Sequence, residues 1–99
     1  MYTIKISGTT CTGKSTMASL ISNMLAKARF GILLIEVPPS ENYEEYVNNE
    51  LKNTPYIKLF DVLVTTHNDG GDTLRIETDF DFSKEPRIFE FISGDLKCG

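Results

Sequence analysis

Apolar and polar side chains alternate at the start of the chain, with Tyr2, Ile4 and Ile6 on one side and Thr3, Lys5 and Ser7 on the other. This period of two predicts a strand over Tyr2–Ser7 with one covered and one wet face. From Met17 the period changes: Met17, Leu20, Ile21, Met24, Leu25 and Ala28 follow the i, i+3, i+4, i+7, i+8, i+11 series of one helical face. A helix is expected from about Lys14 to Ala28, stopping before Gly31.

Gly31–Val37 is apolar without alternation, the pattern of a strand buried on both faces, and Pro38-Pro39 ends it. Ser40 offers an N-cap, Glu41 and Glu44 suit a first helical turn, and Tyr43, Tyr46, Val47 and Leu51 supply an apolar stripe up to Asn53 and Pro55. A third strand is expected over Ile57–Thr66, with a hairpin connection at Asn68-Asp69-Gly70-Gly71-Asp72. Leu74, Ile76, Phe80 and Phe82 then alternate with Arg75, Glu77, Asp79 and Asp81, a strand that buries one face. A turn at Ser83-Lys84-Glu85-Pro86 leads into a last strand, Arg87–Ile92.

Strands separated by helices pair in parallel, and strands separated by short turns form a meander. The expected fold is therefore α/β: a mixed five-stranded sheet, three parallel strands extended by a C-terminal antiparallel hairpin, with two helices. The 99 residues form one domain over 1–99, because a chain this short buries one modest core. Phe80, Phe82, Phe89 and Phe91 are expected in it. The polar sides of Tyr2–Ser7 and Leu74–Phe82 leave surface for a second copy of the chain or a protein partner to cover.

Residues 1–60 carry six basic and five acidic side chains, residues 61–99 four and nine. No basic footprint for phosphate backbones appears, so direct nucleic-acid binding is not expected. The longest apolar run, Gly31–Val37, is far too short to span a bilayer, and Met1-Tyr2-Thr3-Ile4-Lys5 lacks a signal-peptide plan. The expected location is the cytoplasm. Cys11 and Cys98 form no C-x-x-C pair and His67 is the one histidine, which argues against a disulfide scaffold or a zinc site.

Between the first strand and the first helix lies Gly8-Thr9-Thr10-Cys11-Thr12-Gly13-Lys14-Ser15, a complete G-x-x-x-x-G-K-[ST], the Walker A motif. Chance matches occur on the order of a few per hundred thousand start positions. The chemistry explains the spacing. Gly8 and Gly13 permit backbone conformations in which successive N–H groups face a phosphate, and the helix N-terminus adds unpaired N–H groups and a positive dipole end. Lys14 supplies charge for the β- and γ-phosphates, the Ser15 hydroxyl can ligate Mg²⁺, and Thr16 can reach the α-phosphate. Cys11 stands where the loop tolerates a small residue.

On these residues the chain resembles the P-loop NTPase superfamily, in particular its small nucleoside- and nucleotide-kinase-like members, and short ATP-binding proteins of phage and bacterial genomes. The resemblance covers about residues 2–30. It implies a P-loop-type domain that binds ATP or GTP with Mg²⁺ through Gly8–Thr16. The lack of an Asn-Lys-x-Asp run favours ATP.

Members of that superfamily hold Mg²⁺ with a second carboxylate at the end of a neighbouring strand. Asp61, after Ile57-Lys58-Leu59-Phe60, is the candidate if its strand ends there, although Val62-Leu63-Val64 continue the apolar run. Glu36, before Val37-Pro38-Pro39, resembles the Glu before a proline in deoxyribonucleoside kinases and is the candidate general base. Lys14 and Glu36 are thus the candidate catalytic residues, and Ser15 and Asp61 the candidate metal ligands. His67 and Asp69 fall at the expected rim of the third strand. The chain has only Arg29, Arg75 and Arg87 to stabilise a transferred phosphoryl group, and no arginine-rich lid. Three functions fit: a nucleotide-binding protein with weak or partner-dependent hydrolysis, a minimal nucleoside or nucleotide kinase using Glu36, and a non-enzymatic phage-type inhibitor or interaction protein built on the same fold.

Overall fold

A computed structural model describes residues 1–9, 13–81 and 84. Thr10, Cys11, Thr12, Phe82, Phe89, Phe91, Cys98 and the strand expected over Arg87–Ile92 lie outside the described residues. The elements run β1 (Tyr2–Gly8), α1 (Lys14–Lys27), β2 (Ile32–Glu36), α2 (Tyr43–Asn53), a 3₁₀ turn (Ile57–Leu59), β3 (Val62–Asn68) and β4 (Arg75–Thr78). The fold is α/β, with two helices and, among the described residues, a four-stranded mixed sheet of order β2-β3-β1-β4. No helix among the described residues is long and apolar enough to cross a membrane.

β1 and β2 both pair in parallel with β3, and β4 pairs antiparallel with β1. The chain passes from β1 through α1 to the far edge, then returns through α2 to β3. Crossovers of one hand in opposite directions put their helices on opposite faces. Accordingly Ala18 and Leu25 of α1 pack with Ile4, Ile6, Val62 and Val64 on one face. Val47 of α2, with Tyr43, Tyr46 and Leu51 beside it, packs with Ile35 and Leu63 on the other. Full burial of an Ile, Leu or Val side chain is worth about 1.5–3 kcal/mol, so the fully buried Ile4, Ile6, Val62 and Val64 anchor β1 and β3 in the core.

Several expectations are corrected. Ile57–Leu59 forms a 3₁₀ turn after Tyr56, whose φ of 56° turns the chain, so the third strand begins at Val62 and runs on to Asn68. The strand buried on both faces is β3, from Val62 to Thr66; β2 is an edge strand with Leu34 exposed, because an unalternating apolar run does not say which strand is central. The segment after Asn68 is not a hairpin turn. It crosses the carboxyl end of β1, which lies between β3 and β4. β4 is exposed on both faces, with Ile76 at 45%, and the apolar anchor of this region is the buried Phe80, edge-on to Tyr2 and Phe30.

The cap of one helix also differs, while the end of the other falls where expected. α2 is capped by Asn42, whose Oδ1 accepts from the Glu45 N–H at 3.1 Å, while Ser40 lies in the preceding turn. α1 ends through Arg29 at φ 70°, with the Arg29 N–H on the Ala26 carbonyl and the Phe30 N–H on the Leu25 carbonyl, a Schellman arrangement that buries Phe30. Gly31 serves closeness instead: a Cβ there would lie 2.5 Å from the Leu59 carbonyl oxygen.

Candidate functional site

Parallel register brings the carboxyl ends of three strands to one rim, Gly8 beside Asn68 and Ile6 and Glu36 both beside Thr66. Open α/β sheets bind ligands at such a rim. The N-terminus of α1 opens at the same place. Its cap residue, Gly13, sits at φ 86°, a left-handed conformation that strains any residue with a Cβ. The first intrahelical hydrogen bond runs from Met17 N–H to the Gly13 carbonyl, so the N–H groups of Lys14, Ser15 and Thr16 belong to the unpaired first turn. No acidic residue occupies that turn and no side chain caps it.

Between the rim and the helix lies a cleft of about 430 Å³, walled by Gly13, Lys14, Ser15 and Thr16 on one side and by Glu36, Val37, Pro38, Pro39, Thr66 and Asn68 on the other. Ser15, Thr16 and Glu36 are exposed, and Lys14 is half-buried. The Lys14 ammonium donates to the Thr9 carbonyl at 2.5 Å, folding over the start of its own loop. The arrangement offers an anion three kinds of contact: backbone N–H groups with a dipole end, one ammonium, and hydroxyls. The cleft also holds a carboxylate, Glu36, able to accept a proton from a bound hydroxyl.

Of the residues singled out from sequence, the structure gathers Gly13, Lys14, Ser15, Thr16 and Glu36 around one cleft; Gly8 ends β1, and Thr9 is tied to the cleft through its carbonyl, which accepts from Lys14. Thr10, Cys11 and Thr12 lie outside the described residues. Asp61 is not among the gathered residues, and its proposed place in a metal shell is corrected. It precedes β3, at the opposite end of a seven-residue strand, roughly 20 Å from the rim at 3.3 Å per residue. There its Oδ2 accepts from the Gly31 N–H at 2.8 Å, and its own N–H donates to the Gly31 carbonyl at 2.8 Å, a reciprocal staple joining the starts of β2 and β3.

His67 turns to the face opposite the cleft. Its ring lies 4.8 Å from that of Tyr43, over which the Lys5 ammonium stands at 4.3 Å. The Tyr43 hydroxyl shares a 2.7 Å hydrogen bond with that of Thr65. Burial, then the Lys5 charge, hold the imidazole below its ordinary pKa, and its Nδ1 is buried with no hydrogen-bond partner among the described residues. Asp69 is held by the Gly71 N–H at 2.9 Å and by the Arg75 guanidinium, which lower its carboxyl pKa.

Thr66 and Asn68 are cleft residues that the sequence did not disclose. Their sole signal is register: they stand level with Ile6 and Gly8 once β1 and β3 pair. Comparison with known proteins finds no family profile, no curated protein and no solved structure that matches the chain.

Proposed function

We propose that the chain binds a nucleoside triphosphate, ATP or GTP, together with Mg²⁺ through Gly8–Thr16, with weak or partner-dependent hydrolysis. The observation that carries this reading is the coincidence of a complete G-x-x-x-x-G-K-S run with a cleft between an uncapped helix N-terminus and the carboxyl ends of parallel strands. Lys14 and the first-turn N–H groups bind the phosphates, and the Ser15 hydroxyl shares the metal with them. Binding would need the Lys14 ammonium to exchange its Thr9 carbonyl for a phosphate oxygen.

Thermal unfolding with MgATP, MgGTP or inorganic phosphate tests the reading. At a ligand concentration 100 times Kd, binding to the folded state adds about 2.7 kcal/mol, which shifts Tm by several degrees in a domain this size. The expected result is a nucleotide-dependent shift that Lys14→Ala abolishes. No shift with either nucleotide would sink the reading and turn attention to protein partners, including a second copy of the chain.

A second reading, a minimal nucleoside or nucleotide kinase, is favoured by Glu36 lying in the same cleft as Lys14. Glu36 would take the proton of an acceptor hydroxyl as its oxygen attacks the terminal phosphorus and the nucleoside diphosphate leaves. Normal phosphoryl transfer by Glu36→Gln would remove that role.

A further inference from the structure

The phosphate-loop candidate is gripped by a part of the chain that its motif does not include. Between β3 and β4, residues 69–74 cross the carboxyl end of β1, and the Gly71 carbonyl accepts the Thr9 N–H at 2.9 Å. The other side of residue 9, its carbonyl, is held by the Lys14 ammonium. Thr9 is thus fixed at its N–H by the crossover and at its C=O by the lysine. Its predecessor, Gly8, the last residue of β1, has φ 154°, where side chains are rarely accommodated.

Two side chains brace the crossover: Asn68 Oδ1 accepts from the Gly70 N–H at 3.3 Å, and Asp69 makes the shorter and more numerous contacts. Asp69 Oδ1 accepts from the Gly71 N–H, closing a tight turn through Gly70 at φ 79°, and Asp69 Oδ2 pairs with Arg75, the first residue of β4, which lies in register with Ser7 of β1. A Cβ on Gly71 would come within 3.1 Å of Asp69 Oδ1, so the turn is closed tightly on the carboxylate. Both carboxylate oxygens therefore act on the segment that presents the Gly71 carbonyl to Thr9.

We infer that Asp69 is a positioning residue for Thr9, where the chain leaves β1: by bracing the crossover against Gly71 and Arg75 it fixes the Gly71 carbonyl that accepts the Thr9 N–H. The consequence for ligand affinity rests on the nucleotide-binding reading; the brace itself does not. Asp69 is not among the residues that wall the cleft.

Amide hydrogen exchange by NMR on the full chain, without nucleotide, reads the brace directly. Asp69→Ala is expected to speed exchange at Thr9 about five- to tenfold, the scale of one lost hydrogen bond, while Ile4 and Val64 in the sheet stay as in the wild type. Asp69→Asn keeps an acceptor for the Gly71 N–H and is expected to recover most of the protection. Affinity for MgATP should fall in the same order. Unchanged Thr9 exchange in a folded Asp69→Ala protein overturns the inference, as does a loss of MgATP affinity with Thr9 exchange unaltered. Should Asp69→Ala fail to fold, Arg75→Gln removes the charged half of the brace, and unchanged Thr9 exchange in that variant overturns the inference equally. A wild-type protein that binds no MgATP counts against the nucleotide reading alone, since Thr9 exchange still decides the brace.

Discussion

Asp61 and Glu36 are both acids beside an apolar strand, and the end of the strand on which each falls decides what it can do. Glu36 closes β2 at the rim and faces the cleft; Asp61 precedes β3 and spends its carboxylate on the Gly31 N–H. Asp61→Ala leaves that N–H without its partner, so unfolding in urea should show a loss of about 1–3 kcal/mol. On the proposed nucleotide-binding reading the same variant should keep wild-type affinity for MgATP, which a titration can check; a lost Mg²⁺ dependence would restore Asp61 to the site. The grouping of Gly13, Lys14, Ser15 and Thr16 at a helix N-terminus was legible because local spacing sets it. The place of Asp61 was not, since it depends on where β3 begins, and that is fixed by the left-handed Tyr56 and the 3₁₀ turn after it.

At the scale of elements, both helices and the parallel strands were legible from periodicity, while their ends were decided by single hydrogen bonds that periodicity does not encode. Ser40 and Asn42 are equally good N-cap residues in isolation. Asn42 is the cap because the turn through Pro38, Pro39 and Ser40 delivers it, at φ −71° and ψ 125°, to the Glu45 N–H. Asn42→Ala should therefore cost about 1 kcal/mol in a denaturant melt, with Ser40→Ala near neutral. Equal losses would show that the cap is shared. The end of α1 carries a similar lesson. A left-handed residue with a Cβ costs about 1–2 kcal/mol, yet Arg29 adopts that conformation because its two flanking hydrogen bonds and the burial of Phe30 outweigh the strain.

For the whole molecule, the two faces of the sheet are unlike in chemistry. One carries α1 and the cleft; the other carries α2 and a polar hollow lined by Lys5, Glu41, Asn42, Tyr43, Glu44 and His67. Burial and the Lys5 and Arg75 charges depress the His67 pKa, with Asp69 opposing them. A histidine whose pKa is lower in the folded state than its unfolded value near 6.5 adds protons on unfolding, so stability is greatest above that value and falls as pH drops through it toward the folded pKa. Tm should therefore be lower at about pH 5 than at about pH 8, and His67→Gln should flatten that difference. A pH profile unchanged by the substitution would place the acid sensitivity elsewhere. Neither the hollow nor the pairing of β4 with β1 could be read from the chain: the Asn-Asp-Gly-Gly run resembles a hairpin turn, and only the position of β1 between β3 and β4 shows that it spans a strand.

That same placement bears on how the protein forms. β1 is made first and lies inside the sheet, but its partners begin sixty residues away, with Tyr2 opposite Val62 and Ile4 opposite Thr78. Until Val62 has left the ribosome, Ile4 and Ile6 have no strand to join, and until Thr78 has, one edge of β1 stays open. Closing such long loops slows the search for the native state relative to a fold built from neighbouring hairpins. The strand that leads into the G-x-x-x-x-G-K-S run is thus completed by the chain's later half.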